Sequence, residues 1–259
     1  MKRLPIFIAI VILVIVAVIY SNRDIKNADM LDKNKPVNII TETDVAYFPG
    51  SNGYYVRPKA EGSYPGVVMI HENRGLRPEI KQTAEQLAKE GYLVLAVDLF
   101  ASTTEDQSGA RLLTTQFNQA TGTANMRAAA TYLREKGATK IASLGWCFGG
   151  RQSLELAMSG EQLVATVVYY GGGMATTTAR LAPIQWPVLG IFGDNDQVIP
   201  ASMVNDFETS LKTLGITNEI YMYPGVGHAF ANPSGMNYAP DATKDAWEKT
   251  LAFLEKYTK

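Results

Sequence analysis

The sequence predicts an α/β fold, a mostly parallel central sheet with helices on both faces, preceded by an N-terminal transmembrane or signal helix. Three observations carry this reading. Continuous apolar runs at residues 66–70, 92–97 and 188–192 have the length and character of strands buried on both faces. Segments with apolar residues at helical spacing lie between them, and several stop at a glycine. Strands alternating with helices build a parallel sheet, because each helix carries the chain back to the same edge. The first segment is the third observation. Lys2 and Arg3 precede an apolar run over residues 4–20 that Pro5 alone interrupts.

As a helix that run spans roughly 25 Å at ~1.5 Å per residue, near the lower limit for crossing a bilayer core. It is longer than the ~7–15-residue apolar stretch of a secretory signal, and Ile19, Tyr20, Ser21 and Asn22 make a poor cleavage site. The expectation is an uncleaved signal anchor, with a cleaved signal peptide as the alternative. Residues 21–36 are polar and read as a tether, which leaves a domain at 37–259. Arg23, Lys26, Lys33 and Lys35 follow the run, so the charge count does not orient it. A basic start before an apolar run is how an export signal begins. The domain is therefore expected outside the cytoplasm, anchored to the membrane, or secreted or periplasmic after cleavage.

Residues 37–48 and 54–57 read as antiparallel strands around the turn Pro49-Gly50-Ser51-Asn52-Gly53. A buried strand at 66–70 leads to a helix at 78–90, whose Ile80, Ala84, Leu87 and Ala88 share one face and whose stop is Gly91. The strand 92–97 is followed by a long polar and Ala-rich stretch, 103–136, whose second half (125–136) is a helix ending at Gly137. Then come a strand at 141–144, a helix at 149–158 and a strand at 164–170 that runs into Gly171-Gly172-Gly173. A strand at 188–192, a helix at 201–214, a strand at 218–223 and a closing helix at 241–257 complete the pattern.

Charges balance, with 24 Lys+Arg against 25 Asp+Glu, so no basic surface for nucleic acid is expected. One cysteine rules out an internal disulfide, and with two histidines it forms no zinc-binding cluster. No metal or cofactor is implied, and the oligomeric state is not legible.

The chemistry centres on Gly145-Trp146-Cys147-Phe148-Gly149-Gly150, between a strand and a helix. That is the context of a nucleophile elbow, in which glycines let strand and helix backbones approach at a sharp turn. The helix N-terminus beside Cys147 favours thiolate over thiol. The bland alternative is a Gly-rich turn with an inert cysteine. In such a fold an acid and a base follow the nucleophile along the chain. After Cys147 the one histidine is His228, in Pro224-Gly225-Val226-Gly227-His228-Ala229-Phe230, directly after a strand. Two acids follow the preceding strand, in Gly193-Asp194-Asn195-Asp196-Gln197-Val198-Ile199-Pro200. Asp196, four residues before Pro200, is the choice, and Asp194 reads as a turn residue bonded to backbone.

With these residues in order, the chain resembles the dienelactone hydrolase family of α/β hydrolases over roughly residues 37–257. The resemblance rests on the Gly-Trp-Cys-Phe-Gly-Gly elbow, the Asp196–Pro200 step, the Gly-His-Ala-Phe loop and His71-Glu72-Asn73-Arg74-Gly75 after the third strand. It implies a carboxylate beside the cysteine at Glu72, and an oxyanion hole from the backbone N–H groups of Asn73 and Phe148. Two such donors are what acyl transfer requires. The family's dienelactone-cleaving members hold a substrate carboxylate with two arginines. The matching positions here are Ser102, after Asp98-Leu99-Phe100-Ala101, and Asn232, four residues after the histidine. That departure points to a neutral substrate. Arg74, Trp146 and Phe230 join Ser102 and Asn232 as candidate substrate contacts.

The expected activity is therefore a carboxylesterase or lactonase working through Cys147, His228 and Asp196 with an acyl-cysteine intermediate, on a small neutral ester or lactone. The alternative of another class is an inactive, membrane-anchored binding or scaffold protein on the same fold. A thiol- or peroxide-reactive protein is disfavoured by the missing resolving cysteine.

Overall fold

The computed structural model describes residues 38–259. Its strands are β1 (Ile39–Phe48), β2 (Ser51–Pro58), β3 (Gly66–Ile70), β4 (Leu93–Val97), β5 (Ile141–Trp146), β6 (Ala165–Tyr169), β7 (Val188–Gly193) and β8 (Asn218–Tyr223). The helices are α1 (Pro78–Lys89), α2 (Gln107–Gln116), α3 (Gln119–Glu135), α4 (Phe148–Met158), α5 (Thr178–Leu181), α6 (Ala201–Thr213) and α7 (Pro240–Thr258). The strands form one sheet in the order β1-β2-β4-β3-β5-β6-β7-β8. From β4 to β8 the neighbours are parallel, and the β1–β2 hairpin adds to β4 antiparallel.

Every residue of β3 through β7 is buried, which the continuous apolar runs require of strands covered on both sides. Side-chain bonds identify the covering helices. Ser143 on β5 bonds Thr166 on β6, and Ser153 of α4 donates to Ser143 at 2.8 Å. Tyr169, on the opposite face of β6, donates its hydroxyl to the Ala246 carbonyl of α7 at 2.9 Å. Ile80, Ala84, Leu87 and Ala88 are the buried face of α1, and Gly91 takes the left-handed conformation that ends it, at φ +87°.

Three segments differ from the sequence reading. The first hairpin turn is two residues long, because Phe48 already pairs with Ser51. Pro49 and Gly50, with Gly50 at φ +76°, suit a type II turn, so Ser51-Asn52-Gly53 joins the ladder. A Cβ on Gly53 would lie 2.8 Å from Leu95, so that glycine marks close packing rather than a turn. The polar stretch 103–136 holds two helices. The side chains of Asp106 and Asn118 cap them by accepting from the Gly109 and Thr121 N–H groups. Helix α2 buries Ala110 alone, so apolar periodicity does not mark it. The short α5 also went unread. The transmembrane or signal helix expected over 4–20 lies outside the described residues. Among the described residues no helix is long and apolar enough to cross a membrane.

The parallel strands bring their carboxyl ends to one edge. That edge gathers the His71–Gly75 loop, Cys147, Tyr170, the Asp194–Asp196 loop and the His228 loop, where folds of this kind bind ligands.

Candidate active site

Cys147 links β5 to α4 at φ +54° and ψ −116°, a conformation costing a non-glycine residue about 1–3 kcal/mol. Packing imposes it. The Cys147 N–H donates to the Tyr169 carbonyl at 3.0 Å, and Arg151 N–H returns to the Cys147 carbonyl at 3.2 Å. The flanking glycines make the turn possible. A Cβ on Gly145 would lie 2.1 Å from the Gly149 oxygen, and one on Gly149 would lie 2.3 Å from the Ile70 oxygen.

The thiol meets the histidine, with Cys147 Sγ 3.1 Å from His228 Nε2. On the other side of the ring, His228 Nδ1 lies 2.8 Å from Asp196 Oδ2. The Asp196 side chain is fully buried, and its Oδ1 accepts from the Val198 and Ile199 N–H groups at 2.7 and 3.0 Å. Burial works against its charge, but His228 and the two amides outweigh burial and hold its pKa below the usual value. Burial likewise disfavours the charged His228, yet Asp196 behind the ring and the sulfur before it raise its pKa to about 10. The imidazolium then donates Nδ1–H to Asp196 and Nε2–H to the sulfur.

Asp194 stands apart from the ring. Its Oδ1 accepts from the Gly225 N–H at 2.6 Å. Asn195 N–H donates to the Val226 carbonyl at 3.1 Å. These bonds tie the acid loop to the histidine loop, and Asn237 adds a bond to the His228 carbonyl at 2.9 Å.

Glu72 occupies the next loop. Burial pushes its pKa up to about 7, against the hydrogen bonds that favour its charge. Asn232 donates to its Oε2, and the Tyr170 hydroxyl donates to its Oε1 at 3.5 Å. His71 anchors this loop. Burial lowers its pKa and keeps it neutral. Its Nε2 accepts from the Leu99 N–H at 3.1 Å, which leaves Nδ1–H to donate to the Glu72 carbonyl at 2.6 Å. The Phe148 amide opens α4, where no intrahelical acceptor exists. The Asn73 amide lies inside the turn closed by Gly75 N–H to the Glu72 carbonyl.

The candidate substrate contacts separate. Asn232 is bonded to Glu72. Arg74 forms no ion pair among the described residues, and it lines a cavity of about 230 Å³ together with Glu72, Asn232 and Trp146. Trp146 is buried and packs on Tyr169, with ring centres 5.5 Å apart. Phe230 is fully buried between Tyr170 and Tyr223, a core wedge behind the site. Ser102 is exposed, with its carbonyl crowding Gly75, and among the described residues its side chain forms no hydrogen bond with Cys147, Asp196 or His228. Sequence reasoning missed Tyr170, whose ring centre is 5.4 Å from that of His228. Its signal was its place at a strand end before three glycines. It also missed the aromatic wall in which Phe148 meets Phe100 and Phe117 at 4.9 Å each. No group of three or more His, Cys, Asp or Glu among the described residues could hold a metal ion.

A family model described as "Dienelactone hydrolase family" matches residues 51–258. The chain belongs to the dienelactone hydrolase family. It is a hydrolase of that family, and its relatives match along most of their length. A Salmonella typhimurium protein named "Putative carboxymethylenebutenolidase" is 28% identical over 221 residues, covering 79% of this chain and 82% of the relative. A Synechocystis protein of the same name is 29% identical over 238 residues, covering 83% and 96%. A crystal structure titled "Putative Dienelactone Hydrolase" from Klebsiella pneumoniae superposes with a TM-score of 0.78 at 27% identity. It covers 85% of this chain and all of that one.

Proposed function

We propose that this dienelactone hydrolase family member cleaves a small neutral ester or lactone by covalent catalysis at Cys147. The observation that carries the proposal is the continuous hydrogen-bonded line from Sγ through both nitrogens of His228 to the buried Asp196. Sγ attacks the carbonyl carbon, and the oxyanion is held by the Asn73 and Phe148 N–H groups. His228 delivers its Nε2 proton to the leaving oxygen as the carbon–oxygen bond breaks, leaving an acyl-cysteine. Water then gives a proton to the neutral Nε2 and attacks the thioester, and the carbon–sulfur bond breaks to release the acid and restore the starting pair. Asp196 holds the ring with Nδ1–H toward itself throughout.

A neutral substrate is supported by Asn232, which spends its amide on Glu72, and by the exposed position of Ser102. The apolar run at 4–20 supports attachment to a membrane, with the domain outside the cytoplasm. The deciding experiment mixes the protein with p-nitrophenyl acetate on the millisecond scale. The proposal expects a p-nitrophenol burst of one equivalent per chain, an acetyl adduct on the Cys147 peptide, and loss of both in Cys147→Ala. Ester turnover that survives Cys147→Ala would refute the covalent role.

A further inference from the structure

The cavity of about 230 Å³ does not include Cys147 or His228 in its lining. It lies against the same residues that border them, since Glu72, Asn232 and Tyr170 form part of its wall. Trp146, Tyr238 and Trp247 supply aromatic surface. Its volume falls below the ~300–1,000 Å³ of sites for drug-sized ligands, so it suits a single ring. Charge in the wall is balanced. Glu72 and Glu79 share it with Arg74 and Arg77, and Arg77 is already paired with Glu79 and Glu105. A neutral ligand fits that balance.

One polar atom in this wall is left over. Glu79 Oε2 is buried and accepts no hydrogen bond among the described residues. The neighbouring Ser234 hydroxyl is committed to Asn232 Oδ1 at 2.8 Å. An acceptor in the cavity wall with no protein donor is free to take a hydrogen bond from a ligand hydroxyl.

The placement of the cavity also tells which part of a substrate would reach it. The leaving oxygen takes its proton from His228, so the leaving group lies on the histidine side of the carbonyl. Tyr170, whose ring packs against that of His228, and Asn232, on the same loop as His228, both line the cavity. Phe100, Phe117 and Phe148 pack on one another and none of them lines this cavity. We propose that the cavity is the leaving-alcohol subsite, and that it takes a neutral aromatic alcohol carrying a second hydroxyl that bonds Glu79. This rests on the ester-hydrolase reading above.

The test uses resorcinol and its monoacetate on the full chain in detergent. The three tryptophans are replaced by 5-fluorotryptophan and followed by fluorine NMR. Resorcinol should move the Trp146 and Trp247 signals. Trp186, which donates to Thr166 on the opposite face of β6 from Tyr169, should stay fixed. Thr83→Phe, which fills the cavity, should abolish the shifts, and Glu79→Leu should weaken binding about fivefold. In turnover, resorcinol monoacetate should show a KM about threefold below that of phenyl acetate at similar kcat, an advantage that both variants lose. Trp186 at its wild-type position reports that each variant is folded. Resorcinol shifts that are absent, or shared equally by all three tryptophans, overturn the subsite. So does a KM advantage that is absent in wild type or kept by the variants. If resorcinol binds as expected while neither ester is cleaved, the hydrolase reading fails, and the leaving-alcohol role fails with it.

Discussion

Asp196→Asn tests the site through geometry that constrains the outcome. Asp196 Oδ1 accepts from two backbone N–H groups, Val198 and Ile199, and Oδ2 from the His228 ring. An asparagine must give its oxygen to the two amides. The reverse orientation would set an NH2 against both donors and leave them unpaired, at about 1–3 kcal/mol each. Its NH2 therefore faces Nδ1 of His228, which must become an acceptor. The ring gives up its Nδ1 proton and keeps the one on Nε2, so the nitrogen facing the thiol can receive none from the thiol or, in deacylation, from water. The base is switched off rather than weakened. The expected loss in kcat is about 10³–10⁴, or roughly 4–5 kcal/mol at ~1.36 kcal/mol per decade. The pH profile should change as well. Asp196 is one of the two groups holding His228 near a pKa of about 10, so the alkaline limb of kcat/KM should move to lower pH. Asp194→Asn keeps a carbonyl oxygen for the Gly225 amide and should cost only a few-fold. Burst amplitude, steady-state kcat and the pH profile of kcat/KM, measured on both variants, check this. A larger loss in Asp194→Asn than in Asp196→Asn would refute the reasoning.

Glu72→Gln should flatten the pH dependence of stability. The carboxyl binds its proton more tightly folded than unfolded, so wild type should lose stability as pH rises from about 4.5 to about 7. The loss is on the order of 3 kcal/mol, and urea melts across that range measure it. Neutral lactones should exceed their carboxylated analogues at least about tenfold in kcat/KM, and Ser102→Arg with Asn232→Arg should narrow the gap. Equal wild-type turnover of the anionic substrate would count against a neutral site. The full chain should stay in the membrane fraction after a carbonate wash with residues 1–20 intact. Recovery of a soluble species beginning after residue 20 would identify a cleaved signal instead.

The sheet was legible because burial on two faces leaves a strand no polar positions. Residues 66–70 read in sequence with the bounds they have in the fold. Helix α2 was not legible for the complementary reason. With Ala110 its one buried residue, it carries no apolar stripe, and its start is set by a local cap, Asp106 to the Gly109 amide. The hairpin shows a different ambiguity. A glycine can mean a turn or a place where no side chain fits, and Gly53, packed against Leu95, is the second kind.

The same physics divides the site. The elbow, the acid and the histidine were readable because each sits at a strand end, where the order of strands converts chain position into place. The geometry behind Glu72 was not, since it is made by contacts between distant segments that no spacing encodes. Asn232 reads in sequence as a missing arginine. In the fold it donates to Glu72 while Ser234 donates to its oxygen, so one side chain links the acid beside the triad to the wall of the cavity. An arginine there would offer charge to both Glu72 and a substrate. Asparagine offers Glu72 a single neutral hydrogen bond, which leaves burial as the largest influence on the carboxyl and its pKa near 7. The loss of the arginine thus alters the charge of the site twice, by removing a cation and by leaving the buried acid readily neutralised. Both changes support the uncharged substrate proposed above.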